Sequence, residues 1–337
     1  MELGLYTDSV KDETFEAALD LAARVGATGI EIATGGQSSA PHLRIDELLA
    51  DASRRADFAR AFADRGLRIA ALNCSAWPMH PVYGGDHEAL IRATFRLAGE
   101  LGVTKIVSMS GSPGDGPAAT TVNFAWYPWP SDAMALLDRQ WDHALELWRD
   151  LVHDAKAHGV EQIAFELHPL HLVYNVPTLL RLRDAIGPVI GANVDPSHLF
   201  WQQMDPLAVI RALGPAVHHV HLKDTEVIAE QVALAGVLDQ RPFDDAANRA
   251  WVFRTVGSVH GRAFWAAFVA TLREVGYDDA LAIENEDASV TPQEGVERGA
   301  AFMRPLLRAP SPTVPPSEDQ NPDGRTTGVR TPLAADA

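Results

Sequence analysis

Eight short apolar runs, separated by segments of helical periodicity that often close on a glycine, constrain this chain more than any other feature. The runs are Leu3 to Tyr6, Gly29 to Ala33, Arg68 to Asn73, Lys105 to Met109, Gln162 to Leu167, Val189 to Val194, Val217 to Leu222 and Ala280 to Glu284. Between them, sets such as Phe15, Leu19, Ala22 and Val25, or Leu90, Ala93, Leu97 and Leu101, lay one apolar stripe along a helix. Gly66, Gly102, Gly159 and Gly276 stand just before the next run, where the residue after the last helical turn often takes a left-handed conformation. Repetition of strand, loop, helix and glycine predicts parallel pairing, and eight such units predict a closed (β/α)8 TIM barrel. A doubly wound open sheet is the alternative, but the first strand-helix turn, Tyr6-Thr7-Asp8-Ser9, lacks a glycine-rich phosphate fingerprint.

The rhythm ends near residue 308. From Ala309 onward the chain turns to Pro, Ser, Asp and Thr, with six prolines in the last 29 residues. Such a segment has too little apolar surface to offset its ordering entropy. The expected organisation is a barrel over 1–308 and a disordered Pro/Ser-rich tail over 309–337. Two loops exceed what a plain barrel needs: 110–132, with Trp126, Tyr127 and Trp129, and 225–260, with Trp251, Phe253 and Arg254. Both follow strands, which places them on the catalytic face as lids or subunit contacts. Homo-oligomerisation, or docking of a partner subunit, is expected through these loops.

Charge narrows the partners. A formal net charge of -17, with no basic run, argues against nucleic acid. The single cysteine, Cys74, rules out a disulfide or a Cys-rich zinc site within the chain and reads as a buried core thiol. Neither a signal-peptide pattern nor a membrane-length apolar run occurs, so the expectation is a soluble cytoplasmic protein acting on a small molecule.

Four consecutive runs finish in metal-ligand residue types: Phe-Glu166-Leu-His168-Pro, Asp195-Pro-Ser-His198, His219-Val-His221-Leu-Lys223-Asp224 and Ile-Glu284-Asn-Glu286-Asp. Alternation along a strand turns Glu166 and His168 the same way, likewise His219, His221 and Lys223, and Glu284 and Glu286. Charges turned into a barrel need partners or a metal. Glu166, Asp195, His221 and Glu284 are therefore read as ligands of one divalent metal. This mixed O/N set suits Mn²⁺, the first expectation, or Mg²⁺, Co²⁺ or Zn²⁺, and does not decide among them.

These motifs resemble the sugar phosphate isomerase/epimerase superfamily with the xylose isomerase-like barrel, over about residues 1–308. The resemblance implies the same four ligands, a substrate-binding histidine at His198, and a proton shuttle by the two glutamates Glu166 and Glu284. Asn73-Cys-Ser-Ala-Trp-Pro-Met-His80-Pro and Trp251-Val-Phe-Arg254-Thr-Val-Gly are similar to a longer-loop branch, some of whose members act on 3-keto sugars and glycosides by elimination. Ketose epimerases place an arginine a few residues after the metal histidine. Val227 stands there, and the next arginines are Arg241 and Arg254.

The expected chemistry is proton abstraction next to the carbonyl of a keto sugar or cyclitol, through a metal-stabilised enediolate, giving isomerisation or epimerisation. The alternative is a lyase using the same site, by β-elimination of a 3-keto glycoside or dehydration of an inosose. Catalytic candidates are Glu166, Glu284 and His168, the last either an acid/base or a partner orienting a ligand. Substrate-binding candidates are His198, Lys223, His80, Arg254 and Trp126. Trp126, Trp129 and Trp251 offer flat surface for a sugar, whereas Trp141 and Trp148 fall at helical spacing and read as core. A DNA repair endonuclease would need more histidine ligands and a basic groove, and a non-catalytic barrel would not need the ligand set.

Overall fold

The computed structural model describes residues 1–309 apart from residue 117; the proline-rich tail lies, but for its first residue, outside the described residues. Ten strands are described: β1 (Glu2–Tyr6), β2 (Gly29–Gly36), β3 (Arg68–Ser75), β4 (Lys105–Ser108), β5 (Gln162–Glu166), β6 (Ile190–Val194), β7 (Val217–Leu222), β8 (Asp224–Val227), β9 (Trp251–Arg254) and β10 (Ala280–Ile283). Eight of them close into a parallel barrel in the order β1-β10-β7-β6-β5-β4-β3-β2. This is the TIM barrel that the strand-helix rhythm predicts, and the barrel strands coincide with the eight apolar runs. The four expected glycines all adopt positive φ, from 66° at Gly66 to 83° at Gly276.

Alternation along these strands divides the core in two. Outward side chains such as Leu5, Ile32, Ile106, Phe165, Ile190 and Leu222 join the main apolar cluster beneath the surrounding helices. Inward apolar side chains are few and form isolated clusters, one of Ala71, Val107 and Ala164 and another of Tyr6, Ala33 and Ala282. The rest of the interior is polar. At the amino-terminal end Lys105 donates to Asp279 at 2.6 Å, holding that carboxyl down at about 2 as Lys105 and Arg68 outweigh its burial. In mid-barrel Glu31, Asn73, Asn193, His219 and His221 are all buried. At the carboxyl ends sit Glu166, Asp195, Lys223 and Glu284. Layers of polar side chains replace the branched aliphatics that usually fill a barrel, and each must find an internal partner.

Small residues make this crowding possible. A Cβ on Gly191 would stand 2.3 Å from the His218 ring, so glycine in β6 is what admits that histidine beside it.

The long segment after β7 is only partly loop. β8 and β9 pair antiparallel, Asp224 opposite Arg254 and Val227 opposite Trp251, and form a small sheet at the mouth. The Asp224 carboxylate ties its far end down, accepting backbone N–H bonds from Gly257, Val259 and His260. Trp251 stacks on Trp201 with ring centroids 4.6 Å apart, which fixes the sheet against the short helix Pro196–Trp201. The described residues of 110–130 form no helix or strand and lead into the helix Ser131–Ala157. Among the described residues no helix is long and apolar enough to cross a membrane.

Candidate metal and substrate site

Four neighbouring strands of the closed barrel, β5, β6, β7 and β10, present Glu166, Asp195, His221 and Glu284 at their carboxyl ends. Their register sets this: Glu166 lies beside Asn193 on β6, and His221 beside Ala282 on β10. Asp195 follows β6 and caps the helix Pro196–Trp201, accepting the Ser197 N–H at 2.9 Å and the Ser197 hydroxyl at 2.9 Å. That helix lifts His198 above the carboxylates, with its Nε2 3.0 Å from Glu166 Oε1 and 3.4 Å from Asp195 Oδ2. One donor atom from each of Glu166, Asp195, His221 and Glu284 lies within 4.8 Å of the others. Donors that share an ion at about 2.0–2.2 Å stand about 3–4 Å apart, so the set is compact enough for one divalent cation. Its carboxylate and imidazole chemistry fits a cation of the Mg, Mn, Co or Zn kind.

Lys223 supplies positive charge to the same cluster. Its Nζ lies 3.1 Å from Asp195, 2.7 Å from Glu284 and 2.8 Å from Glu286. Burial alone would push this ammonium down, but those three carboxylates raise it well above its ordinary value. Glu284 answers in the opposite sense: Lys223 and His221 overcome its burial and hold its carboxyl well below the ordinary range.

A layer beneath the cluster fixes His221. Glu31, in the middle of β2, accepts from His219 Nε2 at 2.7 Å, His221 Nε2 at 2.9 Å and the Asn73 amide at 2.6 Å. His221 Nδ1 is thereby turned up toward Glu284 Oε2, 3.0 Å away. Tyr6 stacks on the His221 ring at 5.7 Å and 12°. Burial works against a charge on His221, but Glu31 and Glu284 on its two sides raise it well above its ordinary value. Glu31, His219 and His221 form a second compact group of ligand types. The hydrogen bonds just described already satisfy both Glu31 oxygens, so Glu31 acts as a carboxylate that orients the His221 imidazole.

The site opens into a cleft of about 1440 Å³. Its lining includes Glu166, His168, His198, Lys223, Glu284 and Trp126, six of the side chains expected at the site. Asp195 and His221 lie deeper and are buried. His168 is pushed down to about 3 by burial and the neighbouring His198, whose ring it meets edge-on at 4.3 Å.

Two expected substrate residues are engaged elsewhere. Arg254 bonds Glu226 at 2.9 Å and Asp287 at 3.3 Å, since the β8-β9 pairing turns it toward those carboxylates and out of the cleft lining. His80 stacks on Tyr83 with centroids 3.5 Å apart and accepts the Val82 N–H, likewise away from the cleft. Conversely, sequence reasoning passed over Glu31, Tyr6 and Asp8. Asp8 lines the cleft just after β1, its carboxyl raised above the usual range by burial. The signal for Glu31 is a lone charge between Ile30 and Ile32 in a buried strand.

The barrel, the cluster at its carboxyl ends and the long mouth loops agree with a match of residues 19–306 to the model of the xylose isomerase-like TIM barrel family. The chain belongs to this family. A relative in Bacillus subtilis (strain 168), the uncharacterized protein YfiH, is 41% identical over 311 residues, 91% of this chain and 99% of YfiH. Among solved structures, a probable 3-DHS dehydratase, AsbF, from Bacillus anthracis superposes with a TM-score of 0.65 at 15% identity, over 90% of this chain and 98% of that one. The IolI protein with a binding zinc atom gives 0.63 at 17%, over 91% and 98%. D-psicose 3-epimerase with D-tagatose, from Clostridium cellulolyticum H10, gives 0.60 at 13%, over 92% and 100%. At these identities the structural likeness shows a shared fold.

Proposed function

We propose that this family member is a divalent-metal-dependent sugar isomerase or epimerase, which moves a proton next to the carbonyl of a keto sugar or cyclitol. The observation that carries the reading is the convergence of Glu166, Asp195, His221 and Glu284 within 4.8 Å at the floor of a cleft. A divalent cation held there would supply the Lewis acidity that stabilises an enediolate oxygen, by several kcal/mol. Mn²⁺ is the first choice for this carboxylate-rich set. The zinc atom bound by the IolI protein, which shares this fold, supports a divalent metal here.

The chain's own residues do the rest. Glu166 and Glu284 come from β5 and β10, with β6 and β7 between them, so they approach a bound sugar from different sides. One takes the α-proton and the other returns it, a contribution of roughly 10² to 10⁴-fold for positioned acid-base groups. His198 donates to the substrate oxygen nearest Glu166, and His168, neutral at physiological pH, hydrogen-bonds a neighbouring hydroxyl. Lys223 steadies the negative charge of the carboxylate cluster and of the enolate oxygen. Manganese-loaded protein incubated with a panel of keto sugars in D₂O should incorporate solvent deuterium next to the carbonyl of at least one. No exchange and no product across the panel would overturn the reading.

One observation favours a lyase as the second reading. The segment after His221, where ketose epimerases carry an arginine, is committed to the β8-β9 sheet, and Arg254 is held by Glu226 and Asp287. The same enolate could then expel a β-substituent. Release of water or an aglycone, with no interconversion of isomers, distinguishes this outcome.

A further inference from the structure

We infer that Asp8 is a further acid-base residue of the cleft, which moves a proton between two oxygens of the substrate while Glu166 and Glu284 move the proton on carbon. The inference rests on the proposed enediolate reaction. Two glutamates that shuttle a carbon proton are enough for epimerisation. Isomerisation asks for more, because the former carbonyl oxygen must gain a proton and the neighbouring hydroxyl must lose one.

The fold sets Asp8 beside that reaction. β1 lies next to β10, with Leu5 level with Ile283, so the chain leaves β1 alongside Glu284. Ser9 then staples it there: its hydroxyl donates to the Ile283 carbonyl at 3.2 Å and accepts the Asn285 N–H at 2.9 Å, on either side of Glu284 in the chain. Asp8 stands one residue before this staple and lines the cleft with Tyr6 and Glu284. Glu166 comes from β5, with β6, β7 and β10 between it and β1, so Asp8 and Glu166 reach the substrate from opposite ends of the cluster.

Carboxylates that serve the fold here are tied down, as Asp224 is by three backbone N–H groups and Asp287 by Thr255 and Ser289. Asp8 is different: among the described residues its Oδ1 is buried without a hydrogen-bond partner. Burial raises this carboxyl above its ordinary value, and the negative charges of Glu284 and Glu31 act in the same sense. Ser38 and His42, from the segment after β2, oppose them without prevailing. Lys11 and Asp12 line the same wall. A carboxyl raised in this way holds its proton more readily, and in that form it has an O–H to donate as well as an oxygen that accepts.

The proton count closes. A glutamate takes the α-proton; the C–H pair forms the carbon–carbon double bond and the carbonyl pair moves onto oxygen. That oxygen takes the proton of Asp8, and the Asp8 carboxylate then takes the proton of the adjacent hydroxyl. The freed pair forms the new carbonyl, and the double-bond pair accepts the glutamate's proton at the former carbonyl carbon. Asp8 ends protonated, and no external oxidant or reductant is needed.

Asp8→Asn and Asp8→Glu, compared with the parent as manganese-loaded full chains in D₂O, test this by NMR on a panel of keto sugars. Asp8→Asn should lower isomer formation by about 10²-fold or more, the scale of a positioned acid-base group, while α-carbon exchange falls by less than about tenfold. Asp8→Glu should restore part of the isomer formation. Manganese affinity of Asp8→Asn should stay within about threefold of the parent, short of the roughly 10 to 100-fold lost with a partner that orients a ligand. Without any substrate, the carbon-13 carboxyl signal that Asp8→Asn removes should titrate above the ordinary value of about 3.9. Isomer formation by the parent should decline as pH rises through that titration, and exchange should not follow it. Equal losses of exchange and isomer formation in Asp8→Asn, no loss of either, or a signal titrating at or below the ordinary value would overturn the inference. Exchange without any isomer in the parent would strike the inference alone, whereas no exchange with any sugar would strike the proposed reaction and the inference with it.

Discussion

Glu31 Oε2 stands 2.9 Å from His221 Nε2 and so decides which ring nitrogen of His221 faces the carboxylate cluster. The Asn73 amide at 2.6 Å and His219 at 2.7 Å hold the Glu31 carboxylate in place, with burial opposed and outweighed by the two histidines. Glu31→Gln keeps the shape but removes the charge that would make His221 a strong ligand in the proposed metal site. The expected result is a loss of manganese affinity of about 10 to 100-fold, the usual effect of removing a partner that orients a ligand. Competition with a fluorescent chelator measures it, and unchanged affinity would show that Glu31 serves only the fold.

Lys223 and the proposed metal ion would compete for the same negative charge. The Lys223 ammonium is buried among Asp195, Glu284 and Glu286, so Lys223→Met leaves carboxylates uncompensated in the metal-free chain. Breaking such a buried pair costs about 3–5 kcal/mol. A bound dication restores the balance, so the variant should melt well below the parent without metal and gain more from added manganese. Melting curves with and without manganese check both halves, and equal metal-induced shifts in parent and variant would sink the idea.

Much of this could be read from the residues alone because a barrel repeats one local rule. Apolar runs of strand length, stripes of helical spacing and glycines at helix ends are local signals, and all eight barrel strands fall where those signals place them. Glu166 and Glu284 also stand out locally, as charges that end apolar runs. Partnerships across the barrel leave no such trace. Glu31 and His221 are 190 positions apart, and only closure of β2 and β7 around a shared interior joins them. Arg254 had an apparent role beside the site until the antiparallel register of β8 and β9 set it against Glu226 and Asp287. His80 was equally ambiguous, since its stacking on Tyr83 depends on the turn that follows β3.

Acid should destabilise the fold well before its carboxylates protonate. His171 is pushed down to about 3 by burial and by His198, and His218 to about 4 by burial and by Arg183 and Lys105. Both are neutral when folded and bind a proton near pH 6.5 when unfolded, so the unfolded chain holds more protons in acid. Their contribution is complete above about pH 6.5 and declines toward pH 3–4, by up to about 1.4 kcal/mol per histidine and pH unit. Urea midpoints measured in steps from pH 7.5 to 5 should fall, and His218→Gln should flatten the slope. A midpoint that is constant over this range would contradict the neutral assignment.

The tryptophans divide between stability and binding according to burial, and two substitutions separate the roles. Trp148 is fully buried on the helix Ser131–Ala157, meets Phe165 edge-on at 4.5 Å and donates to the Ser110 carbonyl at 2.9 Å. Trp148→Ala should cost about 3–5 kcal/mol, the range for emptying a large aromatic site, with an added penalty for the unpaired Ser110 carbonyl. That carbonyl lies at the root of the loop after β4, so the damage should reach the cleft as well. Trp126 is more than half exposed, and among the described residues its only ring neighbour is Tyr127, at 5.3 Å. Trp126→Ala should move the melting temperature little and instead raise the KM of a stacked substrate with kcat largely kept, the signature of lost uniform binding. Thermal melts and steady-state kinetics on the two variants read these effects separately. Comparable loss of stability in both would mean that Trp126 is packed more firmly than its exposure implies.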